Sequence, residues 1–95
     1  MAAYVIADIQ VSDPAAYEQY RPLAAASVAR FGGQFIVRGG KVDLLEGAPE
    51  PERIVVIEFP DLESARRWYG SEEYQRALKI RQAASRGRVF LVEGA

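Results

Sequence analysis

The sequence predicts one α+β domain in which helices pack on a single antiparallel sheet. Three observations support this. Hydrophobic residues alternate in several short segments, the segments between them have the three- and four-residue spacing of helices, and Gly, Pro, Asp or Ser marks most junctions. The chain has 95 residues, 49% of them hydrophobic, which is too apolar for a disordered segment and enough for one small core. One domain is therefore predicted, residues 1–95.

The first strand and helix are predicted from their boundaries. Tyr4–Val11 is apolar enough to lie in the centre of a sheet. Asp13-Pro14 begins a helix, because Asp caps free N–H groups and Pro suits the first helical position. Pro22 predicts a kink or short break, and Gly32-Gly33 ends the helix. One stripe of this helix faces the core, formed by Tyr17, Tyr20, Ala24, Val28 and Phe31.

The next segment contains two strands and an ambiguous turn. Gln34–Arg38 and Arg53–Phe59 are predicted strands, and the second is apolar enough to be buried on both faces. Gly39-Gly40 is typical either of a tight hairpin turn or of a bulge that bends one longer strand through Lys41–Glu46. We favour the bulge. Gly47–Glu52, with two prolines, is predicted as an exposed turn.

Two further helices follow the third strand. Pro60 stops the strand, and Asp61 caps the helix Leu62–Tyr69. Ser71 caps the helix Glu72–Ala84. These boundaries predict a strand-to-helix unit but indicate no particular reaction.

The last strand completes the pattern of a ferredoxin-like protomer. Gly87 is predicted to break the last helix, and Val89–Glu93 to form the final strand. The order βαββαβ predicts a four-stranded antiparallel sheet with helices on one face only. Both faces of the predicted strands are apolar, and an uncovered apolar sheet exceeds what monomers usually tolerate. We therefore expect a homodimer that stacks its two sheet faces.

Composition excludes several function classes. There is no Cys and no His, so thiolate nucleophiles, imidazole bases and histidine ligands for haem or zinc are excluded. No clustered acidic spacing indicates a metal site. With 12 basic and 13 acidic residues there is no basic surface for nucleic acid. No segment is long enough to span a membrane. We expect a cytoplasmic protein that uses no cofactor.

An ordered series of motifs resembles a known bacterial family. The motifs are DPAAYEQYRPLA, GGQFIVRGGKVDLLEG, RIVVIEFPDLESARRWYGSEEYQ, a later Arg81 and a final VFLVEG. Together they resemble domain of unknown function 1330, within the dimeric α/β-barrel superfamily. The resemblance implies a ferredoxin-like protomer and a homodimer with a barrel-like interface. It implies no assigned reaction, because a shared fold does not transfer activity.

Arg38 and Glu58 are the candidate catalytic residues. Each follows an otherwise apolar strand run, where a charged side chain is unusual without a partner. In the functional interpretation Arg38 binds a carboxylate or enolate oxygen and Glu58 acts as a base. In the structural interpretation they form an ion pair or reach solvent. A shared site requires that both lie on the same face of the sheet.

Aromatic residues on the helices are the candidate ligand-binding residues. If the helices pack side by side, their side chains line one cleft, where phenols donate to an oxyanion and rings stack on a flat ligand. The candidates are Tyr17, Tyr20, Trp68, Tyr74 and Arg81. The predicted function is binding, with or without cofactor-free transformation, of a small anionic or aromatic metabolite. The alternative is a non-catalytic dimerisation or ligand-sensing module, in which these residues are core or surface groups.

Overall fold

The computed structural model describes all of residues 1–95. Its element order is β, α, β, β, α, α, β. The elements are β1 (Ala3–Val11), α1 (Pro14–Arg30), β2 (Gln34–Arg38), β3 (Arg53–Phe59), α2 (Leu62–Gly70), α3 (Glu72–Ala84) and β4 (Ser85–Glu93).

The four strands form one antiparallel sheet in the order β2-β3-β1-β4. β1 is central and pairs with both β3 and β4, so Val5 lies opposite Ile57 on one side and Leu91 on the other. The predicted ferredoxin-like α+β fold is confirmed. The three helices lie on one face, where β1 and β3 bury alternate residues, as expected for strands with one covered face.

The core lies between this covered face and the helices. Its largest buried side chains include Phe59 from β3, Trp68 from α2 and Tyr74 from α3. The predicted stripe on α1 is confirmed, since Tyr17, Ala24 and Val28 are buried and its other two members pack against the core.

The opposite side of the sheet, which we call the open sheet face, carries apolar residues that no helix covers. Phe90 is 44% exposed on it. Its apolar members, identified by strand register, are Tyr4, Ile6, Val37, Ile54, Val56, Phe90 and Val92.

The predicted caps are confirmed. The Asp13 carboxylate accepts a hydrogen bond from the backbone N–H of Ala16 at 3.2 Å, and Asp61 accepts one from Ser64 at 2.7 Å. Hydrogen bonding to Ser64 holds the pKa of Asp61 below its usual value. These caps fix where the helices begin, and thereby which of their faces meets the sheet.

Several local features differ from the predictions. α1 continues through Pro22, so the short break that the sequence allowed is absent, because tertiary packing compensates for one lost hydrogen bond. Lys41–Glu46 is not a strand. Gly39 turns the chain with φ of +72°, and Leu45 is 91% exposed with no strand beside it. The bulge lies earlier, inside β2 between Phe35 and Val37.

Gly87 does not end a helix. α3 ends at Ala84, and β4 begins at once with Ser85. Gly87 lies within the strand opposite Ile9, and a Cβ there would collide with the carbonyl oxygen of Asp8. The glycine therefore permits close approach of β1 and β4.

No helix is both long and apolar enough to cross a bilayer.

Candidate functional site

A small cavity lies between the covered face of the sheet and the helices. Its volume is about 40 Å³, and twelve of its sixteen lining residues are hydrophobic. The four charged residues that line it are all arginines, and no acidic residue does. They are Arg21, Arg38, Arg53 and Arg81.

α1 and α3 bring three tyrosines to the wall of this cavity. The hydroxyl oxygens of Tyr20 and Tyr74 are 2.8 Å apart and share a hydrogen bond, with their rings edge to face at 6.3 Å. The ring of Tyr17 lies 5.4 Å from that of Tyr20. Burial raises the pKa of Tyr20 well above its usual value, and Tyr74 raises it further. Tyr20 therefore keeps its phenolic proton across the physiological pH range.

Arg81 is the most buried charged residue of the site. It is 8% exposed, and its Nε atom is buried with no hydrogen-bond partner. No carboxylate forms an ion pair with it. Burial lowers the pKa of Arg81, but Tyr74, Tyr20 and Tyr69 together more than offset this, so the net shift is upward. Arg81 is thus a fixed positive charge beside two hydroxyl groups.

Trp68 serves mainly to hold the core together. It is 1% exposed, and its ring lies 4.1 Å from that of Tyr74 and 5.3 Å from that of Phe59. Its indole N–H donates to the Ser27 hydroxyl at 3.0 Å, which donates in turn to the carbonyl of Ala24 at 2.8 Å. The indole also lines the cavity, so Trp68 supports the position of Tyr74 and forms part of the wall.

Arg38 and Glu58 lie on opposite faces of the sheet, so the hypothesis of one shared site is wrong within the protomer. Arg38 pairs in register with Val55, on the covered face, and lines the cavity. Glu58 pairs with Tyr4 and Gln34 on the other face and accepts a hydrogen bond from the Tyr4 hydroxyl at 3.3 Å. The reason is the bulge in β2, which shifts the alternation by one residue and turns Arg38 toward the helices.

Sequence reasoning missed Arg53, the first residue of β3. Its Nε atom is buried without a hydrogen-bond partner, and its guanidinium lies 5.4 Å from the centre of the Tyr17 ring. A charged residue at the start of a strand usually indicates solvent exposure. The alternation of side chains along a strand could have identified it. Arg53 lies two residues before the buried Val55 and therefore on the same face of the sheet.

The groups in this cavity can bind and stabilise negative charge. Guanidinium groups are positively charged donors, and phenols donate to oxyanions. No carboxylate lines the cavity to act as a base. No group of three acidic residues is placed to hold a metal ion.

We expect replacement of Tyr20 by Phe to change the alkaline stability of the protein. The unfolded chain loses the phenolic proton near pH 10, whereas the raised pKa of Tyr20 keeps it on the folded protein. The stabilisation from Tyr20 is therefore complete below about pH 10 and is lost as pH rises further. Tyr20→Phe should be about 1 kcal/mol less stable than wild type at pH 7, with a smaller difference at alkaline pH. Urea unfolding at both pH values measures this.

The matched control for Tyr20→Phe is Tyr69→Phe, because Tyr69 is partly exposed on α2. It should leave the pH dependence unchanged. Equal alkaline slopes for wild type and Tyr20→Phe would contradict the assignment of Tyr20 as a buried donor.

The fold and the cavity together define a ferredoxin-like α+β domain with an arginine-lined cavity under its helices. The chain belongs to the family described as Domain of unknown function (DUF1330), whose model matches residues 2–95. No curated protein has a significantly similar sequence.

Solved structures show the same fold at low sequence identity. RPA0582, a protein of unknown function from Rhodopseudomonas palustris, is 18% identical with a TM-score of 0.82, over 99% of this chain and 82% of that one. A dimeric ferredoxin-like protein of unknown function from Jannaschia sp. CCS1 is 13% identical with a TM-score of 0.76, over 99% of this chain and 100% of that one. SnoaB, a cofactor-independent oxygenase from Streptomyces nogalater, is 20% identical with a TM-score of 0.68, over 99% and 92%. These likenesses support the fold.

Proposed function

We propose that this protein binds a small organic anion with a planar apolar body in the cavity under its helices. The observation that carries the proposal is the charge of the lining, which includes four arginines and no carboxylate. Arg21 has an acidic partner, Glu18, at 3.0 Å. Arg38, Arg53 and Arg81 form no ion pair within the chain.

Arg81 supports an anion in particular. A buried guanidinium without a carboxylate partner is unusual, because burial of an unpaired charge is costly. Where the role of an arginine is structural, an acidic residue normally lies against it. A bound carboxylate, enolate or phenolate would supply the missing partner and accept a hydrogen bond from the Nε–H of Arg81.

The tyrosines complement the arginines. Tyr20 and Tyr74 place two hydroxyl groups beside Arg81, and the one that accepts their shared hydrogen bond can donate to an oxygen atom of the ligand. Tyr17 and the aliphatic lining provide an apolar surface for a flat carbon skeleton. A reaction at this site without a cofactor would consist of stabilising an anion such as an enolate. Glu58 lies on the other face and is not assigned the role of base here.

Ligand entry requires movement of side chains. A volume of about 40 Å³ holds only a few water molecules and is below that of typical ligand pockets. Arg38 is exposed and Arg21 half-exposed. The side chain of Arg21 is long and flexible, so its outward rotation enlarges the cavity at little cost.

Native mass spectrometry of the purified protein, combined with analysis of what it releases on denaturation, tests this function. We expect an acidic small molecule that copurifies with wild type and is absent from the Arg81→Met variant. A copurifying molecule without an acidic group, or equal retention by the variant, would argue against the proposal.

We also propose that the protein is a homodimer that stacks its open sheet faces. The apolar residues of this face have no cover within the chain, and such a surface is typical of an interface. The Jannaschia protein of the same fold is described as dimeric. Face-to-face stacking would bury Phe90 and Val92 on each copy.

A charge placed on the open sheet face should dissociate the dimer. Phe90→Asp would bury an unpaired carboxylate at the interface of both copies, a penalty of several kcal/mol. Sedimentation velocity should therefore show monomers at micromolar concentration where wild type is dimeric. Leu45→Asp, on the exposed loop between β2 and β3, is the control and should remain dimeric. A dimeric Phe90→Asp variant would place the interface elsewhere.

A further inference from the structure

Two buried side-chain polar atoms in the chain have no hydrogen-bond partner, and both line the same cavity. They are Nε of Arg53 and Nε of Arg81. Buried donors in native proteins are nearly always paired, so each unpaired one requires an explanation. One anionic group accounts for one guanidinium. Two arginines in one cavity, each with an unpaired Nε–H and no acidic partner, indicate a ligand with two anionic groups.

The Arg53 guanidinium is held in a defined position. It lies over the ring of Tyr17 at 5.4 Å and against the backbone of Gly39, where an added Cβ would collide with it. Gly39 also has a positive φ of +72°, which favours glycine. The absence of a side chain at Gly39 therefore leaves space for the Arg53 guanidinium at the end of β2.

Arg38 adds a second cation at the same end of the cavity. It lies on β2, the strand that pairs with β3, and its guanidinium stacks 4.2 Å above the Phe35 ring. Arg38 and Arg53 together form what we call the strand anion site. Arg81, Tyr20 and Tyr74 form the helix anion site.

The backbone elements that carry the two anion sites lie on different sides of β1. Arg53 begins β3, whereas Arg81 lies on α3 beside β4, where it borders a surface depression with Ser85 and Gly87. β3 and β4 are both neighbours of β1, so their backbones are about 10 Å apart. Between them the cavity wall is apolar, formed by residues such as Ala7 and Val89.

We propose that the ligand is a planar dianion with an acidic group at each end, one bound at the helix anion site and one at the strand anion site. This inference rests on the proposed function, since it specifies the substrate class of the same cavity. The apolar middle of the ligand lies along β1, and whichever hydroxyl of Tyr20 and Tyr74 accepts their shared hydrogen bond donates to the acid at the helix end.

Three aromatic acids test the proposal on the wild-type protein by isothermal titration calorimetry at neutral pH. Benzoate carries one carboxylate, terephthalate carries two at opposite ends of the ring, and phthalate carries two side by side. We expect terephthalate to bind at least about tenfold more tightly than benzoate, the gain typical of one added charged hydrogen-bonding contact. Phthalate should bind more weakly than terephthalate, because its charges cannot reach both sites.

A matched pair of variants locates the second site. Arg53→Gln should reduce the affinity for terephthalate to about the level that wild type shows for benzoate. Arg88→Gln is the control, because Arg88 is also on a strand but pairs with Asp8 on the open sheet face. It should leave both affinities unchanged. Melting temperatures of the variants identify any loss of folding. If a variant does not fold, the binding of the three acids to wild type tests the proposal without it.

Different results would reject the dianion and the proposed function. If benzoate binds and terephthalate binds no more tightly, the dianion is wrong and the single-anion function stands. Equal binding of phthalate and terephthalate would overturn the end-to-end arrangement. If none of the three acids binds, the proposed function fails and the dianion with it.

Discussion

Replacing Arg81 with methionine is expected to weaken anion binding about tenfold to hundredfold while leaving the fold at least as stable as wild type. The guanidinium is buried, its Nε atom has no partner, and no carboxylate pairs with it. An unsatisfied buried donor costs about 1–3 kcal/mol, and a methionine of similar length fills the space without that cost. Urea unfolding should show equal or higher stability for Arg81→Met.

The loss of affinity is expected because Arg81 supplies a positive charge to the bound anion. A hydrogen bond to a charged group contributes about 1.5–3 kcal/mol, which corresponds to roughly a tenfold to hundredfold weaker affinity when the cation is removed. Calorimetric titration with benzoate measures it. A residue that gives affinity at the expense of stability is typical of a functional site.

Arg76 offers the control on the same helix. It is exposed and pairs with Glu72 one turn away at 3.0 Å, so Arg76→Met should change neither stability nor anion binding by more than a few tenths of a kcal/mol. If Arg81→Met unfolded the protein, Arg81 would be a structural residue and the cavity part of the core.

Replacing Trp68 with alanine is expected to produce the largest loss of stability of any single substitution considered. Truncation of a buried tryptophan costs about 3–5 kcal/mol, a large part of the roughly 5–15 kcal/mol that stabilises a domain. Trp68 packs against Phe59 and Tyr74, so its removal loosens both the core and the cavity wall. Urea unfolding followed by far-ultraviolet circular dichroism measures the change.

Two further variants separate the packing of Trp68 from its hydrogen bond. Ser27→Ala leaves the ring in place but removes the acceptor of the indole N–H, which should cost about 1–3 kcal/mol. Trp68→Phe removes the donor and part of the ring and should be intermediate. A loss below about 1 kcal/mol for Trp68→Ala would contradict its place at the centre of the core.

Most of the fold could be predicted because its boundaries depend on local chemistry. Asp13, Asp61 and Ser71 cap helices through side chains that bond to backbone groups three residues on. The strand bounds Gln34–Arg38 and Arg53–Phe59 follow from apolar runs between turn residues. Such signals act within a few residues and do not depend on the rest of the chain.

The candidate site was harder to predict because it depends on register. A single extra residue in β2 between Phe35 and Val37 moves Arg38 to the covered face, away from Glu58. Without that bulge, simple alternation would place the two side chains on the same face, as the shared-site hypothesis required. In the sequence Arg53 resembles an ordinary surface charge. The residues that contact its guanidinium, Gly39 after β2 and Tyr17 on α1, are distant in the chain, so the sequence does not reveal these contacts.

The most direct test of anion binding follows the single tryptophan. Trp68 lines the cavity, and its indole N–H gives one resolved signal in a ¹H–¹⁵N spectrum, because the chain has one Trp. We would titrate wild type with benzoate and, in parallel, with benzamide, which has the same ring and no charge. Saturable movement of the indole signal with benzoate and not with benzamide is the predicted result. No movement with benzoate, or equal movement with both, would contradict a cavity built for anions.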